Sequence, residues 1–129
     1  MLEIRYSAPD SLDISGSVDE LQRVQSDILK LVQSDTRQIS FAADSTIDPV
    51  PYQYALSKLV IVKGHCPTRI SLKDEKEILV EGSSDCLEAF ASFFEFEFDA
   101  EKASHAHFEY YQGNDWIAPD SIPLVIGVK

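Results

Sequence analysis

Apolar residues recur at helical spacing in two stretches of the chain and alternate with polar ones in most of the rest. Leu21, Val24, Ile28, Leu31 and Val32 follow Ser17-Val18-Asp19-Glu20, where a serine hydroxyl can accept from the N3 amide and Glu20 can reach back. That pattern predicts a helix over about 18–33 with one buried stripe, ended by Ser34-Asp35-Thr36. Gly82-Ser83-Ser84-Asp85 is a second helix start, with Glu88 three residues after Asp85. Leu87, Phe90, Ala91 and Phe94 supply the stripe of this second helix, over about 84–94.

The alternating segments predict strands. Leu2–Tyr6 and Leu12–Ser15, separated by Ala8-Pro9-Asp10, read as edge strands or one interrupted strand, and Gln38–Ala43 as another. Pro49 and Pro51 make 45–52 a loop, because proline cannot donate to a sheet ladder. Leu59-Val60-Ile61-Val62 is the branched run of a strand buried on both faces, and 68–72 with 76–80 reads as a hairpin around Lys73-Asp74-Glu75. His105 to Tyr111 alternates again, with His105, His107, Glu109 and Tyr111 on one face and Ala106, Phe108 and Tyr110 on the other. A turn at Gly113-Asn114-Asp115 and Pro119-Asp120-Ser121 precedes a last apolar run, Ile122 to Val128. The order predicts an α+β fold, a mainly antiparallel sheet of about five to seven strands with both helices on one face. No internal repeat or linker stands out, so residues 1–129 read as one domain.

Composition adds two constraints. With 44% hydrophobic and 26% charged residues the chain is globular rather than disordered. Its opening, MLEIRYSAPD, carries an acid and lacks the apolar core of a signal peptide, and no apolar run approaches the roughly 18 residues that cross a bilayer. Cys66 and Cys86 form no CxxC motif and nothing in their spacing requires a disulfide, which reads as a reducing, cytoplasmic protein. The second constraint is charge: 22 acids against 11 bases give −11. From Glu77 to Glu101 there are eight acids and no Lys or Arg. This balance disfavours nucleic acid and anionic membranes as partners, because both need a basic footprint. A cationic protein partner is favoured.

The residues that could carry chemistry lie late in the chain. His105-x-His107 with Glu109 on one strand face could bind a metal through two imidazoles and a carboxylate, although such sites usually draw ligands from more than one element. The alternative is a half-exposed polar face making ordinary contacts. No nucleophile elbow, cysteine signature or glycine-rich phosphate loop is present, so neither an enzyme nor a cofactor is indicated. Most aromatics cluster between Phe90 and Trp116. The phenylalanines among them read as core. Tyr111 and Trp116, beside carboxylates, have the composition of a protein-recognition surface, whereas a Trp116 that merely caps the core reads equally well.

The run HxHxEYY, its short turn and APDSIPLVI resemble the immunity protein 32 family of bacterial polymorphic toxin systems. The branched strand, the hairpin at 70–80 and the G-S-S-D helix start extend the likeness over residues 55–126. Its firmest positions are His105, His107, Glu109, Tyr110, Asp120, Ser121, Pro123 and Leu124. The resemblance implies a small cytoplasmic protein that neutralises a cognate toxin, often a nuclease, by stoichiometric binding. On that reading Glu95, Glu97, Asp99, Glu101, His105, His107, Glu109, Tyr111 and Trp116 form the candidate partner-binding surface. Two other readings stand beside it: a metal-binding protein or metalloenzyme using His105, His107 and Glu109, and a structural or oligomerisation domain associating through its aromatic region.

Overall fold

A computed structural model describes residues 1–129. It is α+β, with strands β1 (Glu3–Ser7), β2 (Ser11–Gly16), β3 (Gln38–Ala42), β4 (Tyr54–Leu56), β5 (Lys58–Lys63), β6 (Arg69–Lys73), β7 (Glu77–Gly82), β8 (His105–Phe108) and β9 (Leu124–Val128). Helix α1 spans Val18–Val32 and α2 spans Ser84–Ala91, continued by a 3-10 turn at Ser92–Phe94. The two helices thus form where the apolar stripes place them. Both start on a serine: Ser17 Oγ accepts from the Glu20 amide (3.2 Å) while Glu20 Oε1 accepts from the Ser17 amide (2.9 Å), and Ser83 Oγ accepts from the Cys86 amide (3.3 Å).

The strands do not make a single sheet. They divide into a five-stranded sheet, β4-β1-β2-β9-β8, and a four-stranded sheet, β3-β5-β7-β6. Each is antiparallel except for one internal parallel pair, β2 with β9 and β5 with β7. The chain from 54 to 63 belongs to both sheets. It bends at Ser57, whose amide donates to the Lys76 carbonyl (2.8 Å) and whose carbonyl accepts from Ala43 (2.9 Å). Approaching β9, the Ile122 amide donates to Ile70 of β6 (3.0 Å), which ties the second sheet to the first in the same manner.

This likeness is general. With β4 set aside, which has no counterpart strand in the second half, β1-β2-α1-β3-β5 and β6-β7-α2-β8-β9 follow the same order, contrary to the expectation that no repeat is present. The register repeats too: Ile39 opposes Ile61 and Phe41 opposes Leu59 in one half, and Ala106 opposes Ile126 and Phe108 opposes Leu124 in the other. Gly16 and Gly82 occupy equivalent strand-to-helix corners, and an added side chain would be crowded at both. A Cβ at Gly82 would lie 2.9 Å from Thr68 Oγ1, and one at Gly16 would lie 3.0 Å from Leu2 Cδ2. The halves are interleaved rather than side by side: the five-stranded sheet takes β4, β1 and β2 from the first half and β9 and β8 from the second, and the four-stranded sheet takes β3 and β5 from the first and β7 and β6 from the second.

One cluster of 25 buried residues joins both sheets and both helices, so the interleaving shares a single core. α1 packs on α2, β2 and β3, and α2 on β7. Phe90 sits at its centre, edge-on to Phe94 (5.3 Å between centroids) and to Phe108 (5.0 Å). The cysteines are joined as Cys66–Cys86, a bond the sequence spacing did not require. Thr68 is the one fully buried polar side chain, and its hydroxyl has no partner. Thr68→Val should therefore leave stability unchanged or raise it by about 1 kcal/mol, because an isosteric methyl removes an unsatisfied group. Urea unfolding measures this, and a loss of stability would mean the hydroxyl is bonded in solution.

Candidate partner-binding site

Residues 95–104 leave the 3-10 turn as an irregular segment pinned at both ends. Gln22 Nε2 of α1 donates to the Phe96 carbonyl (3.3 Å), and the Ala103 amide donates to Val128 of β9 (2.8 Å). Phe96 packs on the core between these ties. Glu95, Glu97, Asp99 and Glu101 are all exposed, and so is Phe98 at 86%. Expected in the core with the other phenylalanines, Phe98 instead projects into solvent, because the chain has already left the helix whose stripe would have buried it. Together with Gln22, Gln25 and His105 these residues line an open groove of about 1040 Å³ between α1 and the segment. None of the four acids is ion-paired, and Lys102 is the one cation on the segment.

His105 and His107 stand on the solvent face of edge strand β8, their ring centroids 4.9 Å apart. His105 Nδ1 donates to the Ala103 carbonyl (3.0 Å), since a carbonyl can only accept. The strand ends at Phe108, so Glu109 and Tyr111 do not continue its face as the alternation predicts. No group of three or more His, Cys, Asp or Glu side chains is arranged to hold a metal ion. Cys66, a conceivable distant ligand, is consumed by the disulfide. His107 and Glu109 instead line a separate small cleft of about 180 Å³ with Tyr52 and Leu124.

Across the same sheet face run two polar rows that sequence reasoning missed. Arg5, Asp13, Val125 and His107 are consecutive cross-strand neighbours, as are Glu3, Ser15, Gly127 and His105. Their common signal is the alternation of β1 and β2, visible only once the parallel β2–β9 pairing is known. Asp13 and His107 are two strands apart, about 10 Å at the backbone, and no hydrogen bond joins either imidazole to a carboxylate. Burial pushes the Asp13 carboxyl above its ordinary range, opposed by Arg5, reinforced by Glu3 and opposed again by His105. Burial, with Asp13 nearby, also raises the Tyr52 phenol.

Because the folded state holds the Asp13 proton more tightly than the unfolded chain, its contribution favours folding at acid pH. That contribution is lost as pH rises from the unfolded value of 3.8 through the raised folded one. Asp13→Asn should thus raise stability near neutral pH and flatten this part of the profile. Denaturant midpoints at pH 4 and pH 7 test it, and equal losses at both values would refute the assignment.

Of the candidate surface, the structure gathers Glu95, Glu97, Asp99, Glu101 and His105 around one groove. His107 and Glu109 lie in the neighbouring cleft, and Tyr111 (66% exposed) and Trp116 (51% exposed) stand on the 109–123 connection without lining either. Asp120 and Ser121, firm positions of the family likeness, are structural ties. Asp120 pairs with Arg69 (3.1 Å), while Ser121 Oγ accepts from the Ile70 amide and donates to the Thr68 carbonyl, both at 3.2 Å. No protein-family model, curated protein or solved structure matches the chain.

Proposed function

We propose that the protein is an immunity-type inhibitor that binds a basic protein toxin stoichiometrically through the groove beneath residues 95–105. The observation that carries this reading is Phe98, an exposed ring flanked by Glu97 and Asp99 with two further acids on the same segment. An aromatic anchor inside a charged rim is the composition of an interaction hot spot. Isolated water-facing phenylalanine has no role in stability. The unpaired acids steer a cationic partner into the groove and compete with an anionic substrate for its basic surface. The His105 to Ile126 likeness to immunity protein 32 is independent of these charges and points the same way.

A cytoplasmic location belongs to the same proposal. There the Cys66–Cys86 bond, whose Cys86 half is buried, meets a reducing thiol pool.

Co-expression tests the reading. If the gene immediately upstream encodes a secreted protein ending in a toxin domain, that domain expressed alone in a bacterial host should arrest growth. Co-expression of this chain should restore it. Arrest that persists with the chain abundantly expressed would defeat the proposal.

A further inference from the structure

The connector between the two halves of the chain, His65-Cys66-Pro67, makes no hydrogen bond. Before it, the Gly64 amide donates to the Gly82 carbonyl (2.8 Å). After it, the Thr68 amide donates to Trp116 and the Thr68 carbonyl accepts from Ala118, both at 2.8 Å. Between these ties the Cys66–Cys86 bond is the connector's one cross-link to the fold.

The two sulfurs differ in access. Cys66 is exposed, whereas Cys86 is buried in the first turn of α2. An incoming thiolate therefore meets the bond at Cys66, because exchange requires access to the sulfur attacked. The two sides of the bond are also held unequally. α2 keeps its place without it, since Leu87, Phe90 and Ala91 are fully buried and Ser83 caps the helix. The connector has no such support. Beside it, Thr68 makes the parallel bridge to Ile117 that holds the 109–123 connection, next to Trp116, the one tryptophan of the chain.

We propose that Cys66–Cys86 is a thiol-exchange site, reduced in the folded state by a dithiol, and that its cleavage frees residues 65–67 and loosens the Thr68–Ile117 bridge. A thiolate of the dithiol attacks Cys66 Sγ and forms a mixed disulfide. The Cys66–Cys86 bond breaks, and its electron pair leaves with Cys86 Sγ, which takes up a proton. The second thiol of the reductant then attacks the reductant's own sulfur in the mixed disulfide, closing its disulfide and releasing Cys66 as a thiol. Two electrons and two protons thus pass from the dithiol to the cystine. The connector is then unattached between Gly64 and Thr68. Fraying spreads to the two Thr68 bonds, because they close on a segment outside both sheets. The acidic groove shares no residue with this site, so the inference is independent of the toxin reading.

Dithiothreitol added in native buffer to the full chain, purified without thiols, tests it. Free thiols should rise from none to two per chain. Amide exchange at Thr68 and Ala118 should quicken roughly tenfold or more, with exchange at Ile28 unchanged. Trp116 emission should shift to longer wavelength. Cys66→Ser should show the same exchange and emission without reductant, and dithiothreitol should then alter neither. Cys66→Ala serves as the second variant should the first disturb folding. A bond that yields only in denaturant overturns the proposal, as does a purified chain that already carries two free thiols. So does reduction that leaves Thr68 and Ala118 protected, or reduction that unfolds the whole chain.

Discussion

Neither half of this chain, 1–64 nor 65–129, will fold on its own, and mixing the two will restore the native spectrum. Severed after Gly64, the first half keeps β1, β2, α1, β3, β4 and β5 but loses β9 and β7, the parallel partners of β2 and β5. The second half loses the reciprocal strands. Each fragment would expose one side of two formerly internal strands and open the shared core around Phe90 and Ile28. The cost is the whole stability of the fold, typically about 5–15 kcal/mol for a domain of this kind. Circular dichroism of each fragment, then of an equimolar mixture, checks the prediction. Cooperative unfolding by either half alone would mean that the interleaved sheets are not the folding unit. Cys66 and Cys86 both lie in the second fragment, so their bond cannot staple the two together.

Phe98→Ala will weaken partner binding by about 2 kcal/mol or more, roughly 30-fold, while leaving the unfolding midpoint where it is. The two halves of that statement come from one fact. A ring 86% exposed buries nothing on folding and has its full surface to bury on binding. Phe90→Ala, eight residues earlier, has the opposite signature, because that ring is fully buried between Phe94 and Phe108. Deleting it costs about 3–5 kcal/mol of stability. Lysine in place of Glu97, Asp99 and Glu101 should act on a third quantity, slowing association strongly at low salt and less at high salt. Rates independent of salt, and unchanged in that variant, would remove electrostatic steering from the account.

Local chemistry is what the amino-acid order makes legible. The serine caps, the stripes from Leu21 to Leu31 and Leu87 to Phe94, and the turn at Lys73-Asp74-Glu75 depend on neighbours a few positions away, and each element forms where that chemistry places it. The division into two sheets depends on Ser57, a bend held by Lys76 and Ala43 that no glycine or proline announces. The duplication leaves faint traces, Gly16-Ser17-Val18-Asp19 against Gly82-Ser83-Ser84-Asp85 and Leu59-Val60-Ile61 against Leu124-Val125-Ile126. Read separately, these look like a helix cap and a buried strand. The pairing of Cys66 with Cys86 follows from Gly82 delivering α2 beside the start of β6, a tertiary outcome.

The candidate site divides the same way. Acidity between residues 77 and 101 is plain from composition, and His105 lies close by in the chain, so their shared groove is half visible in advance. Glu109 and Tyr111 seemed to share the histidine face because alternation continues past Phe108. The strand stops there, since β9 supplies no partner before Leu124. Phe98 was hidden by its own chemistry. Phe94, Phe96 and Phe98 alternate identically in the sequence, yet Phe94 is buried, Phe96 half-buried and Phe98 exposed, because the chain leaves the helix at Phe94 for an irregular segment.

Where the gene immediately upstream encodes a toxin domain, titrating that domain with this chain and reading residual toxin activity tests the proposed inhibition most directly. Inhibition should be complete at one chain per toxin domain for the native protein and should require a large excess for Phe98→Ala. Full toxin activity in the presence of a several-fold excess of native protein would contradict it.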